Sequence, residues 1–345
     1  MIKRAVSLYS FQDKYARKKL RLEDMFRYMS EWGTEGVELL SDQMIPGSPF
    51  PSDDTLSNWK KLLGESGIHP VCNDIFVDSN LYRNRELTKK EQVRLLCDEI
   101  RNSHDLGFRL VKLASKTSPY IVEPVMPLCG QLGVAVAFEL HGGMSLDHPG
   151  TRACLDVVKG LASPYCGIVV DCGIFCRKFP RVVRDHYLRN GVNPELAKYI
   201  DDAFLSGSDF LTRIQKDGRH KELIMTLDML PDGVKPLIKN DIDFLYARNA
   251  QTYENTPLER IDEYMPYLKH IHGKCYEMSP QLEETSIRYE EIVEYLKERE
   301  YEGYIATEYE GSRYFPEGQS VDDVGNTRLH QAMLAKLLKS GANSD

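Results

Sequence analysis

Long apolar runs are missing from this chain of 345 residues. Nowhere do about 18 apolar residues follow one another, and the opening Met1-Ile-Lys-Arg-Ala-Val-Ser-Leu-Tyr-Ser holds no apolar stretch of secretory length. A membrane partner is therefore not expected, and the expected location is cytoplasmic. Runs of five or six like charges are also missing, and no basic stripe offsets the net charge of −8, so no nucleic acid partner is expected. Cys172 and Cys176 stand four apart with no second pair to complete a zinc cage. The eight scattered cysteines read as reduced, mostly buried thiols. No early strand leads into a Gly-x-Gly-x-x-Gly turn, which removes the main support for a doubly wound dinucleotide-binding sheet.

What is present is a globular composition, with 42% hydrophobic and 28% charged residues. Short runs rich in β-branched residues fall at 5–10, 36–40, 70–77, 110–114, 134–140, 167–170, 268–273 and 304–309. Amphipathic stretches at 22–32, 54–65, 89–106, 122–132, 151–161, 289–300 and 321–338 alternate with them. Strand followed by helix, closing at eight, predicts an α/β fold: a (β/α)8 TIM barrel spanning 1–345 as a single domain. One strand-to-strand interval, between 167 and 268, is far longer than the others. It predicts a large helical insertion after strand 6, at 172–257, with helical pieces at 180–188, 194–204 and 210–216. Because it follows a strand's carboxyl end, the insertion is expected at the face where barrels build their sites, as a lid, pocket wall or docking surface; a solvated decoration is the plainer alternative.

Glu139, Asp171, His272 and Glu308 stand at or near the carboxyl ends of the four late strands, where an aliphatic core pattern would not put them. In a closed barrel those strands form one arc of the rim, so the four side chains can converge. Three carboxylates brought together in a dry site repel one another, and a divalent cation removes the conflict. Such an oxygen-rich set with one imidazole suits Mn²⁺, with Mg²⁺, Co²⁺ or Zn²⁺ as alternatives. His270 and His272 are two apart and share a strand face, so either is a candidate ligand; His272 is chosen as nearer the strand end and next to Gly273.

His141 follows Glu139 by two and is the candidate catalytic base, since imidazole exchanges protons near neutrality; the plainer reading is a turn histidine bonded to the Gly142-Gly143 backbone. Glu38 reads either as a ligand contact across the mouth or as a buried carboxylate supporting the site. The basic and aromatic run at 175–184 reads either as a clamp for an anionic or aromatic substrate or as an amphipathic helix with a solvated basic face. Aromatic residues at 253–267 and 309–315 either line a pocket or pack the upper rim.

Gly36-Val-Glu-Leu, Ala137-Phe-Glu-Leu-His, Val169-Val-Asp, His270-Ile-His-Gly-Lys and Ala306-Thr-Glu-Tyr-Glu, in that order, resemble the xylose-isomerase-like barrel superfamily of sugar phosphate isomerases and epimerases. The resemblance covers almost the whole chain and implies that Glu139, Asp171, His272 and Glu308 are metal ligands. Within that superfamily, the long insertion after Asp171 and the Glu139-Leu-His-Gly-Gly turn are similar to the catalytic α subunit of bacterial C-glycoside deglycosidases. This narrower resemblance implies a metal-dependent lyase that cleaves the carbon–carbon bond of a 3-oxo-C-glycoside by proton abstraction and β-elimination. It also implies a small β subunit in a hetero-oligomer and an aryl C-glycoside substrate. The alternative is a ketose 3-epimerase or sugar isomerase, in which Glu139 and Glu308 exchange a proton from opposite faces of the sugar.

Overall fold

The computed structural model describes residues 1–114, 117–143, 146–215, 223–316, 319 and 321–340. Eight parallel strands close into a barrel in chain order: β1 (Lys3–Ser7), β2 (Gly36–Leu39), β3 (His69–Ile75), β4 (Leu110–Leu113), β5 (Ala135–Leu140), β6 (Cys166–Asp171), β7 (Leu268–Cys275) and β8 (Tyr304–Tyr309). The predicted barrel is thus the observed one, with shifts at several strand ends, among them β3, which stops at Ile75 and not at residue 77. The chain at Leu8–Phe11 leaves β1 as a 3-10 turn instead of extending it to residue 10. Strand β7 runs two residues past Gly273, to Cys275, which places one more side chain inside the barrel.

Alternation along each strand fixes what fills that interior. Cys72, Leu110, Ala137 and Val169, from β3 to β6, pack together as a small apolar layer. Two residues further along the same strands come Asp74, Lys112, Glu139 and Asp171, all buried. Strand pairing carries this polar layer round the barrel, with Asp171 beside His272 and Lys274 beside Glu308. Every strand contributes, since Ser7 of β1 and Glu38 of β2 complete the circuit and are buried too. An apolar floor with a charged layer above it, at the carboxyl ends of the strands, is how this sequence positions a site.

Between β6 and β7 lie the helices Arg181–Arg189, Pro194–Leu205, Phe210–Ile214 and Asp241–Ala250, followed by 3-10 turns over Leu258–Tyr267. The helix expected over 210–216 ends at Ile214, and Lys216 lies outside the described residues, as do 217–222 of the insertion. The helix Asp241–Ala250 was not foreseen, although Asn240 and Asp243 form a reciprocal cap at its start, a signal legible in sequence. Phe179 anchors the insertion, with ring centroids 5.8 Å from Phe204, 5.7 Å from Tyr246 and 5.0 Å from Tyr253. Each such pair contributes about 0.5–1.5 kcal/mol beyond its buried area. The insertion's apolar residues belong to the same buried cluster as barrel residues such as Val170 and Ile271. No helix among the described residues is long and apolar enough to cross a membrane.

Candidate functional site

The four residues singled out in the late strands meet around one imidazole. Nδ1 of His272 lies 2.8 Å from Glu139 Oε1, 3.3 Å from Glu308 Oε2 and 3.8 Å from Asp171 Oδ2. Its other nitrogen, Nε2, is 2.9 Å from Glu38 Oε1, although the angle there makes no hydrogen bond. His270, one pleat deeper, has Nε2 3.1 Å from Glu38 Oε2 and is not brought to Glu139 or Asp171. Glu38 also accepts a hydrogen bond from the Ser7 hydroxyl at 2.9 Å. Glu38 is thus a buried carboxylate behind His272, hydrogen-bonded to Ser7 and His270 and close to the far nitrogen of His272.

Two buried lysines, not foreseen from the sequence, share the site. Lys112 Nζ lies 3.0 Å from both Asp74 Oδ2 and Glu139 Oε1. Lys274 Nζ lies 3.0 Å from Asp171 Oδ2 and 3.3 Å from Glu310 Oε2, and it contacts Glu308. The clustered acids were expected to be relieved by a divalent cation; the structure adds that the chain supplies part of the positive charge itself. It does not supply all of it. Two ammonium groups face six carboxyl groups, Glu38, Asp74, Glu139, Asp171, Glu308 and Glu310.

The electrostatics follow from that imbalance. Burial pushes the carboxyls of Glu139 and Asp171 up, but Lys112 and His272 around the first, and Lys274 and His272 around the second, bring both below the usual carboxylate range. Burial dominates at Glu308, whose pKa is raised despite His272 and Lys274. At Asp74 burial outweighs Lys112, and its pKa is raised to about 7. Burial opposes charge on His272 as well, yet Glu308 and Glu38 raise its pKa well above the usual value. A cationic centre is thus favoured where the late-strand acids converge.

These residues fit a divalent cation. Ligand atoms of Glu139, Asp171 and His272 all lie within 4.8 Å of one another, and Asp171 Oδ2 is buried without a hydrogen bond. Hard oxygens plus one imidazole nitrogen, with a net excess of acid, form the donor set that such ions prefer. Glu308 is not one of these three; its Oε2 lies 3.3 Å from the same Nδ1 and contacts Lys274.

His141 lies one residue beyond β5, partly exposed. Its Nδ1 is 2.6 Å from the Gly142 carbonyl oxygen. A carbonyl only accepts, so Nδ1 carries the hydrogen and Nε2 keeps the basic lone pair. The turn-histidine geometry and the base chemistry are therefore compatible.

Other candidates are not brought to the site. Arg177 pairs with Glu291, Arg181 with Glu277, and Arg184 with Asp185 and Asp201, all on partly or largely exposed side chains. The basic run thus forms a surface network in place of a substrate clamp. Tyr253, Tyr264 and Tyr309 are buried, and the Tyr253 and Tyr314 hydroxyls meet at 2.5 Å, so these aromatics pack the rim. Cys172 and Cys176 are buried free thiols whose pKa values burial pushes up.

No family model matches the chain. It is 25% identical over 311 residues to a 3'-dehydrocarminate deglycosidase alpha subunit of a Microbacterium species, covering 89% of this chain and 87% of that protein. A C-glycoside deglycosidase alpha subunit of Arthrobacter globiformis is 26% identical over 312 residues, 89% of this chain and 83% of its own. Among solved structures, a sugar phosphate isomerase/epimerase from Parabacteroides distasonis superposes with a TM-score of 0.57 at 11% identity, over 97% of this chain and 98% of that one. By sequence the chain is similar to C-glycoside deglycosidase alpha subunits, and its closed eight-stranded barrel is the fold also seen in that sugar phosphate isomerase/epimerase.

Proposed function

We propose that the protein is the catalytic subunit of a metal-dependent C-glycoside deglycosidase that cleaves 3-oxo-C-glycosides. The observation that carries this reading is the His141 imidazole one residue beyond β5 and its ligand candidate Glu139, with Nδ1 turned to the Gly142 carbonyl and the Nε2 lone pair left available, in a chain similar to such alpha subunits. Glu139, Asp171, His272 and Glu308 would hold a divalent ion, Mn²⁺ by preference. When bound, that ion polarises the sugar ketone and stabilises negative charge on its oxygen.

Beside a C3 ketone, the C2 hydrogen is acidic. His141 Nε2 takes that proton, the electron pair forms the C1–C2 double bond, and the C1–aryl bond breaks. The departing aromatic carbon takes the proton back from the His141 imidazolium, so the elimination balances without an outside acid. Lys112 holds Glu139 ionised and Lys274 holds Asp171 ionised while this happens, and Lys274 also keeps the Glu308 carboxyl in place. A small β subunit, forming a hetero-oligomer with this chain, is part of the same proposal, because the relatives are named as alpha subunits.

A second reading, ketose 3-epimerase, draws on Glu139 and Glu308 flanking one imidazole nitrogen at 2.8 and 3.3 Å. Incubation with a 3-oxo-C-glucoside and, separately, with free ketoses, each with and without EDTA, tests both. EDTA-sensitive release of the free aglycone supports the deglycosidase; a C3 epimer with no aglycone release replaces it by the epimerase. His141→Ala is expected to keep its metal and lose aglycone release, and unchanged turnover would remove His141 from the mechanism.

A further inference from the structure

The turn that carries His141 is not held by the barrel alone. After the helix Asp241–Ala250 the insertion returns as a strap over residues 252–256, and this strap lies between the exits of β5 and β6. On one side it is pinned to the chain leaving β6: Cys176 N–H donates to the Glu254 carbonyl at 2.8 Å, Thr256 N–H donates to the Ile174 carbonyl at 2.9 Å, and Phe175 bridges to Asn255. On the other side the Glu254 side chain, only 1% exposed, reaches across 111 residues of sequence and accepts the Gly143 N–H at 2.9 Å.

Two further features show that strap and turn are fitted to each other. A Cβ added to Gly142 would stand 2.5 Å from the Thr252 carbonyl oxygen, so no other residue fits there without moving the strap. Gly143 sits at φ +81°, a left-handed conformation that side chains resist, and its N–H is the one that Glu254 accepts. The Gly142 carbonyl that receives His141 Nδ1–H lies between these two constraints. If the turn rotates, that carbonyl rotates with it and the imidazole loses the partner that fixes its tautomer.

We propose that Glu254 is a positioning residue: from within the insertion it locks the Gly142-Gly143 turn, and with it the Gly142 carbonyl that fixes the orientation of the His141 ring through Nδ1. This inference rests on the reading of His141 as the base, and it gives the insertion a stated part in the reaction. Nothing in the sequence pattern joins Glu254 to Gly143; the barrel closure and the returning strap bring them together.

The test compares the full-length wild type with Glu254→Gln, Glu254→Asp and Glu254→Ala. Long-range ¹H–¹⁵N spectra of the histidine rings report the His141 tautomer, and mass spectrometry after diethylpyrocarbonate treatment reports the reactivity of its Nε2. Glutamine keeps a carbonyl oxygen for the Gly143 N–H, so Glu254→Gln is expected to retain the Nδ1–H signal and to react within about threefold of wild type. Glu254→Ala is expected to show mixed tautomers, unchanged metal content, and on a 3-oxo-C-glucoside a kcat lowered roughly tenfold or more with KM within about twofold. Glu254→Asp, whose reach is shorter, guards against misfolding of the alanine variant and is expected to fall between the two. Wild-type ring spectra and reactivity in both Glu254→Ala and Glu254→Asp would overturn the proposal. The two layers of inference separate cleanly. Wild-type turnover by His141→Ala removes the base assignment and leaves the ring spectra to judge Glu254, whereas an inactive His141→Ala beside an unaffected Glu254→Ala removes only the positioning role.

Discussion

Two groups of ionic contacts in this protein use the same residue types in opposite surroundings. Inside the barrel mouth, Lys112 and Lys274 are 2% exposed and their carboxylate partners are nearly as dry. At the surface, Arg181 of the insertion pairs at 2.7 Å with Glu277 of the loop after β7, their side chains 58% and 25% exposed. Distance alone does not separate the two groups. Burial does, because a charge stripped of water depends on its partners, whereas an exposed charge has the solvent to fall back on. The mouth is therefore where charge is concentrated away from water, and the arginines of the basic run pair at the surface, in keeping with the solvated-face reading of that run.

The comparison is broken most directly by deleting one charge from each group. Lys112→Met strands Asp74 and Glu139 without their shared ammonium, and a loss of about 3–5 kcal/mol in unfolding free energy is expected by urea denaturation. A loss under about 1 kcal/mol would mean that the mouth admits enough water to behave like the surface. Asp171→Gly is not the useful partner experiment, because it opens space as well as removing charge; Asp171→Asn keeps the shape and should lower metal content with little change in fold.

A smaller effect sharpens the comparison between charged and neutral burial. His330 is wholly buried, with Nδ1 2.8 Å from the Thr307 hydroxyl and its ring edge-on to Tyr289, and burial pushes its pKa down to about 3. In the unfolded chain it titrates near 6.5. Below that pH the unfolded state binds a proton that the folded state refuses, so the stability is full above about 6.5 and is lost as pH falls toward 3. Between pH 7 and pH 5 this one group is expected to account for about 2 kcal/mol of acid destabilisation. His330→Gln should flatten that part of the curve of urea midpoint against pH; an unchanged slope would place the proton uptake elsewhere. Smallest of all, Arg181→Ala should shift unfolding by less than about 1 kcal/mol, and a larger shift would show that the surface network is stronger than its exposure allows.

The strand count, the position of the long insertion and the four late-strand residues could all be read from sequence, because alternation and spacing are local patterns. Lys112 could not. In Leu110-Val-Lys-Leu both faces of the strand are buried, and only closing the barrel shows which face holds Asp74 and Glu139. Lys274 escaped for a related reason, since the strand was expected to stop at Gly273 and the extra pleat to Cys275 turns the lysine inward. The choice between His270 and His272 rested on strand position alone, and the structure adds the reason: Glu38 stands beside both, but only His272 faces the late-strand acids. Long-range pairings such as Glu254 with Gly143 leave no mark in composition or period, because they exist only once the insertion has folded back.

The central claim is that the carboxyl ends of β5 to β8 form one divalent-cation site. Calorimetric titration of the metal-stripped chain with Mn²⁺, beside Asp171→Asn and Glu308→Gln, tests it most directly. A single site per chain in the wild type, weakened at least about tenfold in both variants, is the expected result. Equal binding by all three proteins, or no binding by the wild type, would contradict it.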